Sequence, residues 1–162
     1  MEENREKSIV NKVVVVTGGS RGIGAQIVKT LANENYKVIL NYNNSKEQAE
    51  KIQQELLEQG KEIEIIKADV SKREETEKLI QFAINKFNKI DVLINNAGIS
   101  QEGLFTDVTE EEWQKIINTN LNSVFYCNQQ ALKYMIQEQQ GCIINISSIW
   151  GETGASCEVA YS

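Results

Sequence analysis

A group of glycines near the N-terminus offers the clearest chemistry in this sequence. Gly18, Gly22 and Gly24 follow four consecutive valines in the pattern G-x-x-x-G-x-G. Glycine lets a chain turn sharply, approach a ligand with its backbone and pack a helix tightly on a strand. A helix that begins here would aim free N–H groups and the positive end of its dipole at an anion. The pattern predicts a site for the pyrophosphate of a dinucleotide, and a glycine turn without a ligand is the alternative.

The elements that would position this turn alternate regularly along the chain. Residues 13–16 are all valine, which predicts a central strand covered on both faces. Further strands are predicted at residues 36–41, 62–68, 90–95 and 142–146, and the third strand is the most edge-like because its apolar residues alternate with polar ones. Helices are predicted between the strands, with capping boxes at residues 45–48, 71–74 and 109–112.

The last long helical region is predicted to run from Thr109 to about Gln139. Its buried side is expected to comprise Trp113, Ile117, Leu121, Val124, Asn128, Ala131 and Met135. Asn120 falls on or beside this stripe, where a polar side chain needs an explanation. Five alternations of strand and helix predict an α/β fold with an open parallel sheet and helices on both faces. Ligands bind such sheets beyond the carboxyl ends of the strands.

Composition limits the class of protein. With 162 residues, 41% of them hydrophobic and 25% charged, the chain suits one globular domain. Its 17 basic and 23 acidic residues give a net charge of -6 and form no basic block. Nucleic acids and membrane surfaces are therefore not expected as partners. No run of residues is long and apolar enough to predict a membrane span.

The cysteines and the N-terminus complete this description. Cys127, Cys142 and Cys157 lack the spacing of metal ligands and the chain has no histidine, so no metal site is expected. We interpret the cysteines as reduced thiols of a cytoplasmic protein. Residues 1–7 are charged and contain no apolar segment, which predicts a frayed tail rather than a signal peptide.

Further motifs follow the glycine turn in a fixed order. The complete set is Thr17-Gly18-Gly19-Ser20-Arg21-Gly22-Ile23-Gly24, Asp69-Val70, Asn95-Asn96-Ala97-Gly98, Asn120-Leu121, Ser148 and Tyr161. In this order the motifs resemble those of the classical short-chain dehydrogenase/reductase family, over nearly the whole chain. The resemblance implies a Rossmann-type doubly wound parallel sheet with strand order 3-2-1-4-5. It also implies that residues 1–162 form a single NADP-binding domain.

The resemblance assigns the parts of a cofactor site. Gly18, Ser20, Arg21, Gly22, Ile23 and Gly24 would cradle the pyrophosphate, Asp69 and Val70 would meet the adenine, and Asn96, Ala97 and Gly98 would line the floor. The second strand ends in Asn41, Tyr42 and Asn43, without the acid that NAD enzymes usually place there for the ribose hydroxyls. Together with Arg21, this end favours NADP (NADPH) as the cofactor. NAD is the alternative, with Arg21 pointing only into solvent.

For the reaction, the resemblance implies three catalytic side chains. Tyr161 would be the general acid, Ser148 would hold the carbonyl oxygen, and Asn120 would support a proton relay. In the reduction of a ketone, hydride would leave the nicotinamide for the carbonyl carbon while Tyr161 protonates the oxygen. The alternatives are a surface tyrosine, a strand-capping serine and a helix-packing asparagine.

One residue of the family pattern lies beyond this sequence. The family's lysine comes four positions after the tyrosine, and the sequence ends at Ser162. We therefore expect the chain to be the N-terminal two-thirds of a reductase, without two further strands and the lysine-bearing helix. The fifth strand would then be an exposed apolar edge. The homo-oligomer expected of the full-length form would retain half of its interface, the helix near residues 112–138.

The substrate is open at this stage. The overall pattern most resembles 3-oxoacyl-[acyl-carrier-protein] reductases, which implies a small-molecule or carrier-bound ketone. Residues 147–151 and 154–159 look more like the reductases of the 5-aminopentanone group on elongation factor P, with Trp150 and Glu152 shaping a pocket for a cationic ketone. A non-catalytic NADP-binding fragment and a non-functional remnant are the remaining alternatives.

Overall fold

The structure of the protein, a computed structural model, describes residues 11–162. The tail expected at residues 1–7 lies outside this range. Five strands form one parallel sheet: β1 (Val13–Val16), β2 (Lys37–Tyr42), β3 (Ile63–Lys67), β4 (Val92–Asn95) and β5 (Cys142–Asn145). Their order is β3-β2-β1-β4-β5, which confirms the predicted fold. The strand boundaries differ from the predicted ones by one or two residues.

Helices follow the strands and cover both faces of the sheet. They are α1 (Gly22–Asn33), α2 (Lys46–Glu58), α3 (Arg73–Phe87), α4 (Glu110–Ile117), α5 (Ser123–Gln137) and the short α6 (Trp150–Thr153). A 3-10 turn at Phe105–Asp107 precedes α4. No helix within residues 11–162 combines the length and the apolar character needed to cross a bilayer.

The valine strand lies at the centre of two hydrophobic cores. All four valines of β1 are fully buried. Val14 and Val16 pack with α1 and α2 on one face, whereas Val15 packs with α3 and α5 on the other. Because both faces are covered, the strand needs no polar alternation. The prediction for β1 is confirmed.

The two edge strands differ in exposure. The strand predicted to be most edge-like, β3, does lie at one edge of the sheet. The other edge is β5, where Ile144 is 43% exposed although the strand is apolar. The carboxyl ends of β1, β2 and β4 lie between these edges, so the glycine turn after β1 has a neighbouring strand on each side.

Packing explains why the turn after β1 needs glycine. Gly18 and Gly22 have φ values of +62° and +54°, a region that disfavours residues with a Cβ atom. At Gly24 an added Cβ would overlap the carbonyl oxygen of Gly18, because α1 begins directly against the turn. The turn is therefore constrained by its backbone conformation and by close contact with its own helix.

Only one of the three predicted capping boxes forms. At the start of α4, the Thr109 hydroxyl accepts from the Glu112 N–H at 3.2 Å, and the Glu112 carboxylate accepts from the Thr109 N–H at 2.9 Å. The second of these hydrogen bonds is the main reason why the pKa of Glu112 is lowered. Ser45 precedes α2 without a side-chain cap. Ser71 donates its hydroxyl to Asp69 instead, at 2.6 Å, so the predictions at residues 45–48 and 71–74 are wrong.

The long helical region is interrupted by a π-helical turn at Asn118–Asn122, between α4 and α5. The extra residue rotates the following positions by about 100° relative to an unbroken α-helix. Leu121, within the turn, is 61% exposed, and Trp113, before it on α4, is 38% exposed, so the predicted buried stripe is wrong at both positions. The stripe is confirmed at Ala131 and Met135, which the second core buries.

The packing at Gly24 predicts that even one added methyl group destabilises the turn. Overpacking costs about 1–3 kcal/mol, and we expect Gly24→Ala to lie at the upper end of this range. Gly103→Ala is the matched control, because an added Cβ there meets no atom within 4 Å. Urea unfolding measures both free energies of unfolding, and equal values for the two variants would contradict the proposed overlap.

The buried thiol of Cys127 predicts a pH-dependent stability. Burial raises the pKa of Cys127 to about 12, whereas an unfolded cysteine titrates near about 8.5. Between these values the unfolded chain loses a proton that the folded chain keeps, so the free energy of unfolding falls as the pH rises from about 8.5. Cys127→Ala is expected to flatten this fall in pH-dependent urea unfolding.

Alkylation of the folded protein gives an independent check of that burial. At pH 8.5, iodoacetamide should modify the exposed Cys142 and Cys157 rapidly, and Cys127 only after denaturant is added. Peptide mass spectrometry locates the modified residues. Rapid modification of Cys127 without denaturant would show that the second core is open at this position.

Candidate active site

Two adjoining clefts lie at the carboxyl edge of the sheet, where the fold is expected to place ligands. The first has a volume of about 500 Å³ and the second about 440 Å³. They share the side chain of Ile23 and the segment 96–99, which follows β4. One extended molecule can therefore occupy both clefts.

The first cleft brings together most of the residues predicted to bind a cofactor. Those that line it are Gly18, Ser20, Arg21, Gly22, Ile23, Asn41, Asn43, Asp69, Val70, Asn96, Ala97 and Gly98. They come from the carboxyl ends of β1, β2, β3 and β4, which are far apart in sequence. The parallel sheet alone brings these four ends together.

Two of the predicted cofactor residues do not line this cleft. The ring of Tyr42 is only 6% exposed and packs in the first hydrophobic core. Gly24 is buried behind the turn, where its lack of a side chain allows α1 to approach Gly18. Both residues are near the site in sequence. The alternation of side chains along β2 directs Tyr42 into the core, and the packing of α1 against the turn explains why residue 24 is glycine.

The backbone N–H groups of the turn divide into two sets. Gly18 donates to Oδ1 of Asn41 at 3.3 Å, and Gly19 donates to the backbone carbonyl of Asn41 at 2.8 Å. These two groups are therefore directed into the protein. The first-turn N–H groups of α1, on Gly22, Ile23 and Gly24, have no acceptor within residues 11–162. They provide the positive helix end that can bind an anion.

The opposite side of the turn is fixed by β4. Nδ2 of Asn96 donates to the backbone carbonyls of Thr17 and Gly18, at 2.9 and 3.1 Å. The hydroxyl of Thr17 accepts from the N–H groups of Asn96 and Ala97, both at 3.0 Å. The first two of these hydrogen bonds use the Asn96 side-chain amide to shape the cleft floor, and the other two anchor the backbone after β4 to Thr17.

Charge is distributed unevenly along the first cleft. Among the described residues that line it, Arg21 and Lys115 are the cations and Asp69 is the one carboxylate. Ser71 orients Oδ1 of Asp69 with its N–H and its hydroxyl, at 3.1 and 2.6 Å. None of the ion pairs within residues 11–162 involves Arg21, which is exposed at the cleft mouth. Arg21 is thus free to pair with an anionic ligand.

Sequence analysis missed several residues of the first cleft. They are Asn44, Ser45, Ala68, Ser71, Ile99, Lys115 and Thr119. Most of them adjoin predicted residues in the chain. Lys115 and Thr119 are one helical turn apart, and both lie close to Asn120 in the chain. Their spacing from this predicted site residue was the signal that could have identified them.

The second cleft contains all three predicted catalytic residues. Asn120, Ser148 and Tyr161 line it together with residues 98–100 and Ile146. Ser148 follows β5, Asn120 lies in the π-helical turn, and Tyr161 comes from the segment after α6. All three are half-buried, as expected for side chains that face a cleft.

Asn120 is held by two hydrogen bonds to a single residue. Its Oδ1 accepts from the Ile99 N–H at 2.9 Å, and its Nδ2 donates to the Ile99 carbonyl at 2.8 Å. The amide thereby fixes the segment that both clefts share. Ser148 Oγ accepts from the Trp150 N–H at 3.3 Å. The Tyr161 hydroxyl forms no hydrogen bond within residues 11–162, so its proton can reach a ligand in the cleft.

Trp150 and Glu152, the two residues suggested for a pocket that binds a cationic ketone, line neither cleft. Trp150 is 40% exposed and Glu152 is exposed on the short helix α6. Neither side chain lines the second cleft, although Gly151 between them does.

Comparisons with known proteins agree with this arrangement. The family model described as short chain dehydrogenase matches residues 12–162. Similar proteins include the 3-oxoacyl-[acyl-carrier-protein] reductases FabG of Staphylococcus epidermidis and Staphylococcus aureus, 41% and 40% identical over 152 residues. Those alignments cover 94% of this chain and 62% of each relative. A 3-oxoacyl-[acyl-carrier-protein] reductase of Synechocystis is 37% identical over 155 residues, or 96% of this chain and 63% of the relative.

The chain thus spans less than two-thirds of the length of these relatives. The family match nevertheless includes both clefts and every site residue described above. On the strength of that match, this chain belongs to the short-chain dehydrogenase family.

Proposed function

We propose that the protein is an oxidoreductase that uses NADPH to reduce a ketone to an alcohol by hydride transfer. One observation carries the proposal: Asn120, Ser148 and Tyr161 line one cleft, and this cleft continues into the cleft of the glycine turn. Such continuity is what a reaction between a dinucleotide and a second substrate requires. The three side chains come from separate elements of the chain.

The first cleft fits a dinucleotide phosphate. The free N–H groups at the start of α1 suit a pyrophosphate. An added Cβ at Gly22 would meet no protein atom within 4 Å, so the backbone there is open to a ligand. At the other end, Asp69 and Val70 would meet the adenine. Arg21 and Asn43 at the mouth support NADP over NAD, because a 2′-phosphate needs cations and neutral donors.

In the proposed mechanism, the proton transfer takes place in the second cleft. NADPH, when bound, supplies the hydride. Ser148 binds the carbonyl oxygen and stabilises the negative charge that develops on it. Tyr161 donates its phenolic proton to that oxygen, and Asn120 supports the relay that restores the proton. The resemblance to the family assigns the support of this proton transfer to a lysine four positions after the tyrosine, which lies beyond Ser162.

The substrate class follows from the relatives. Their names describe reductases of 3-oxoacyl groups on the acyl carrier protein, and we extend this to a small-molecule or carrier-bound 3-oxoacyl ketone for the natural protein. This would place it in fatty acid biosynthesis.

The proposal includes the protein's setting. The three cysteines are unpaired, in keeping with a reducing cytoplasm. We treat the chain as one NADP-binding domain. The exposed apolar side chains of Phe125, Leu132 and Ile136 on α5 support a homo-oligomer of the full-length form.

Replacement of the proposed acid tests the mechanism. In the natural protein, with any sequence beyond Ser162 retained, Tyr161→Phe should reduce NADPH oxidation by a short 3-oxoacyl thioester about 10²–10⁴-fold. The NADPH dissociation constant should not change. Tyr126→Phe on α5 is the control and should retain full turnover. Unchanged turnover of Tyr161→Phe would refute the assigned role.

Replacement of Arg21 tests the cofactor choice. Arg21→Ala should weaken NADPH binding about tenfold, roughly 1.4 kcal/mol, while NADH binding changes little. The matched control is Arg73→Ala on α3, whose side chain pairs with Glu77 outside the cleft. Fluorescence titration measures both cofactors. Equal losses for NADPH and NADH would mean that Arg21 does not contact the 2′-phosphate.

A further inference from the structure

The amide of Asn41, at the carboxyl end of β2, is bonded to backbone groups on both sides. Asn41 is 1% exposed. Its Oδ1 accepts from the Gly18 N–H at 3.3 Å, and its Nδ2 donates to the Ala68 carbonyl at 2.9 Å. Further carbonyl oxygens, of Tyr42 and Ile66, lie 3.4 Å from the same Nδ2. Sequence analysis predicted a cofactor ligand here, but the donors of this amide are directed into the protein.

The two bonded groups belong to different strand ends that both line the first cleft. Gly18 begins the turn that leads to the free N–H groups of α1. Ala68 directly precedes Asp69, at the end where the adenine is expected. Asn41 is thus a link between the two parts of the cleft that one dinucleotide has to reach at the same time.

We propose that Asn41 is a positioning residue that sets the distance between the glycine turn and the Asp69–Val70 end of the cleft. This inference rests on the proposed function, since it assumes one ligand that spans both ends. Asn96 holds the Gly18 carbonyl from the β4 side, and the Gly19 N–H stays bonded to the backbone carbonyl of Asn41, so the turn stays attached to both neighbouring strands when the Asn41 side chain is replaced. What is lost is the side-chain link between Gly18 and Ala68.

Because Asn41 is buried, the loss of its side-chain amide is expected to disturb the turn. Without the Asn41 amide, the Gly18 N–H and the Ala68 carbonyl lose the partner that they have inside the protein. An unpaired buried group costs more than a hydrogen bond contributes. The turn is then expected to move or to open locally, while the two hydrophobic cores keep their packing.

The experiment compares three variants. Asn41→Leu keeps a similar size and removes both hydrogen bonds. Asn41→Thr retains one hydroxyl, which can accept from Gly18 or donate to Ala68, and serves if the leucine variant does not fold. Ile52→Val removes one methyl group from the first core, away from the cleft, and controls for a general loss of stability.

Two readouts separate positioning from simple structural support. In the free protein, amide hydrogen exchange of Gly18 should be at least tenfold faster in Asn41→Leu than in Ile52→Val. NADPH should bind at least tenfold more weakly to Asn41→Leu, with Asn41→Thr between it and wild type. Adenosine 2′-monophosphate, which needs only one end of the cleft, should change less than twofold.

Other results overturn the inference. Equal losses for NADPH and the adenosine fragment would mean that Asn41 supports one end only, and unchanged Gly18 exchange would mean that it does not hold the turn. If wild-type protein binds no NADPH, the proposed function fails. Gly18 exchange then still decides whether Asn41 holds the turn.

Discussion

The peptide units around Gly18 form the constraint on which the rest of the site depends. The N–H of Gly18 is bonded to Asn41 of β2, and its carbonyl is bonded to Asn96 after β4. The strand between them, β1, is buried on both faces, so the turn at its end has no freedom to shift sideways. Because Gly24 then packs against Gly18, the axis of α1 is fixed as well. The positive end of that helix, with its free N–H groups, is thereby directed at the cleft.

Three asparagines show how one side-chain type serves both architecture and chemistry. Asn41, Asn96 and Asn120 each line a cleft, and each uses its amide on backbone groups. An amide offers a donor and an acceptor on one rigid plane, so it can replace a missing backbone partner where a strand has just ended. The irregular segments at the carboxyl edge of the sheet are thus held by side-chain hydrogen bonds where no further secondary structure holds them.

The π-helical turn is the second device that shapes the site. It brings Asn120 into contact with Ile99, in the segment that both clefts share. It also rotates α5, so that Cys127, Ala131 and Met135 rather than Leu121 face the second core. The extra residue of the π turn therefore allows one helical region to present a polar group to the cleft and an apolar face to the sheet. π turns are frequent at functional sites for this reason.

Sequence alone determined the parts of the protein that depend on local chemistry. The valine run, the glycine spacing and the alternation of elements predicted β1, the turn and the parallel sheet, because apolar continuity and the need for glycine act within a few residues. The motifs also identified Asn120, Ser148 and Tyr161 as a set.

Tertiary structure decided what depends on partners distant in the chain. Tyr42 and Asn41 are neighbours on one strand, but the first fills a core and the second joins two strand ends. Only the folded sheet brings Gly18 and Ala68 to the two sides of that amide. The reason is that a hydrogen bond requires a specific distance and angle between two groups, which the spacing of residues along the chain does not determine.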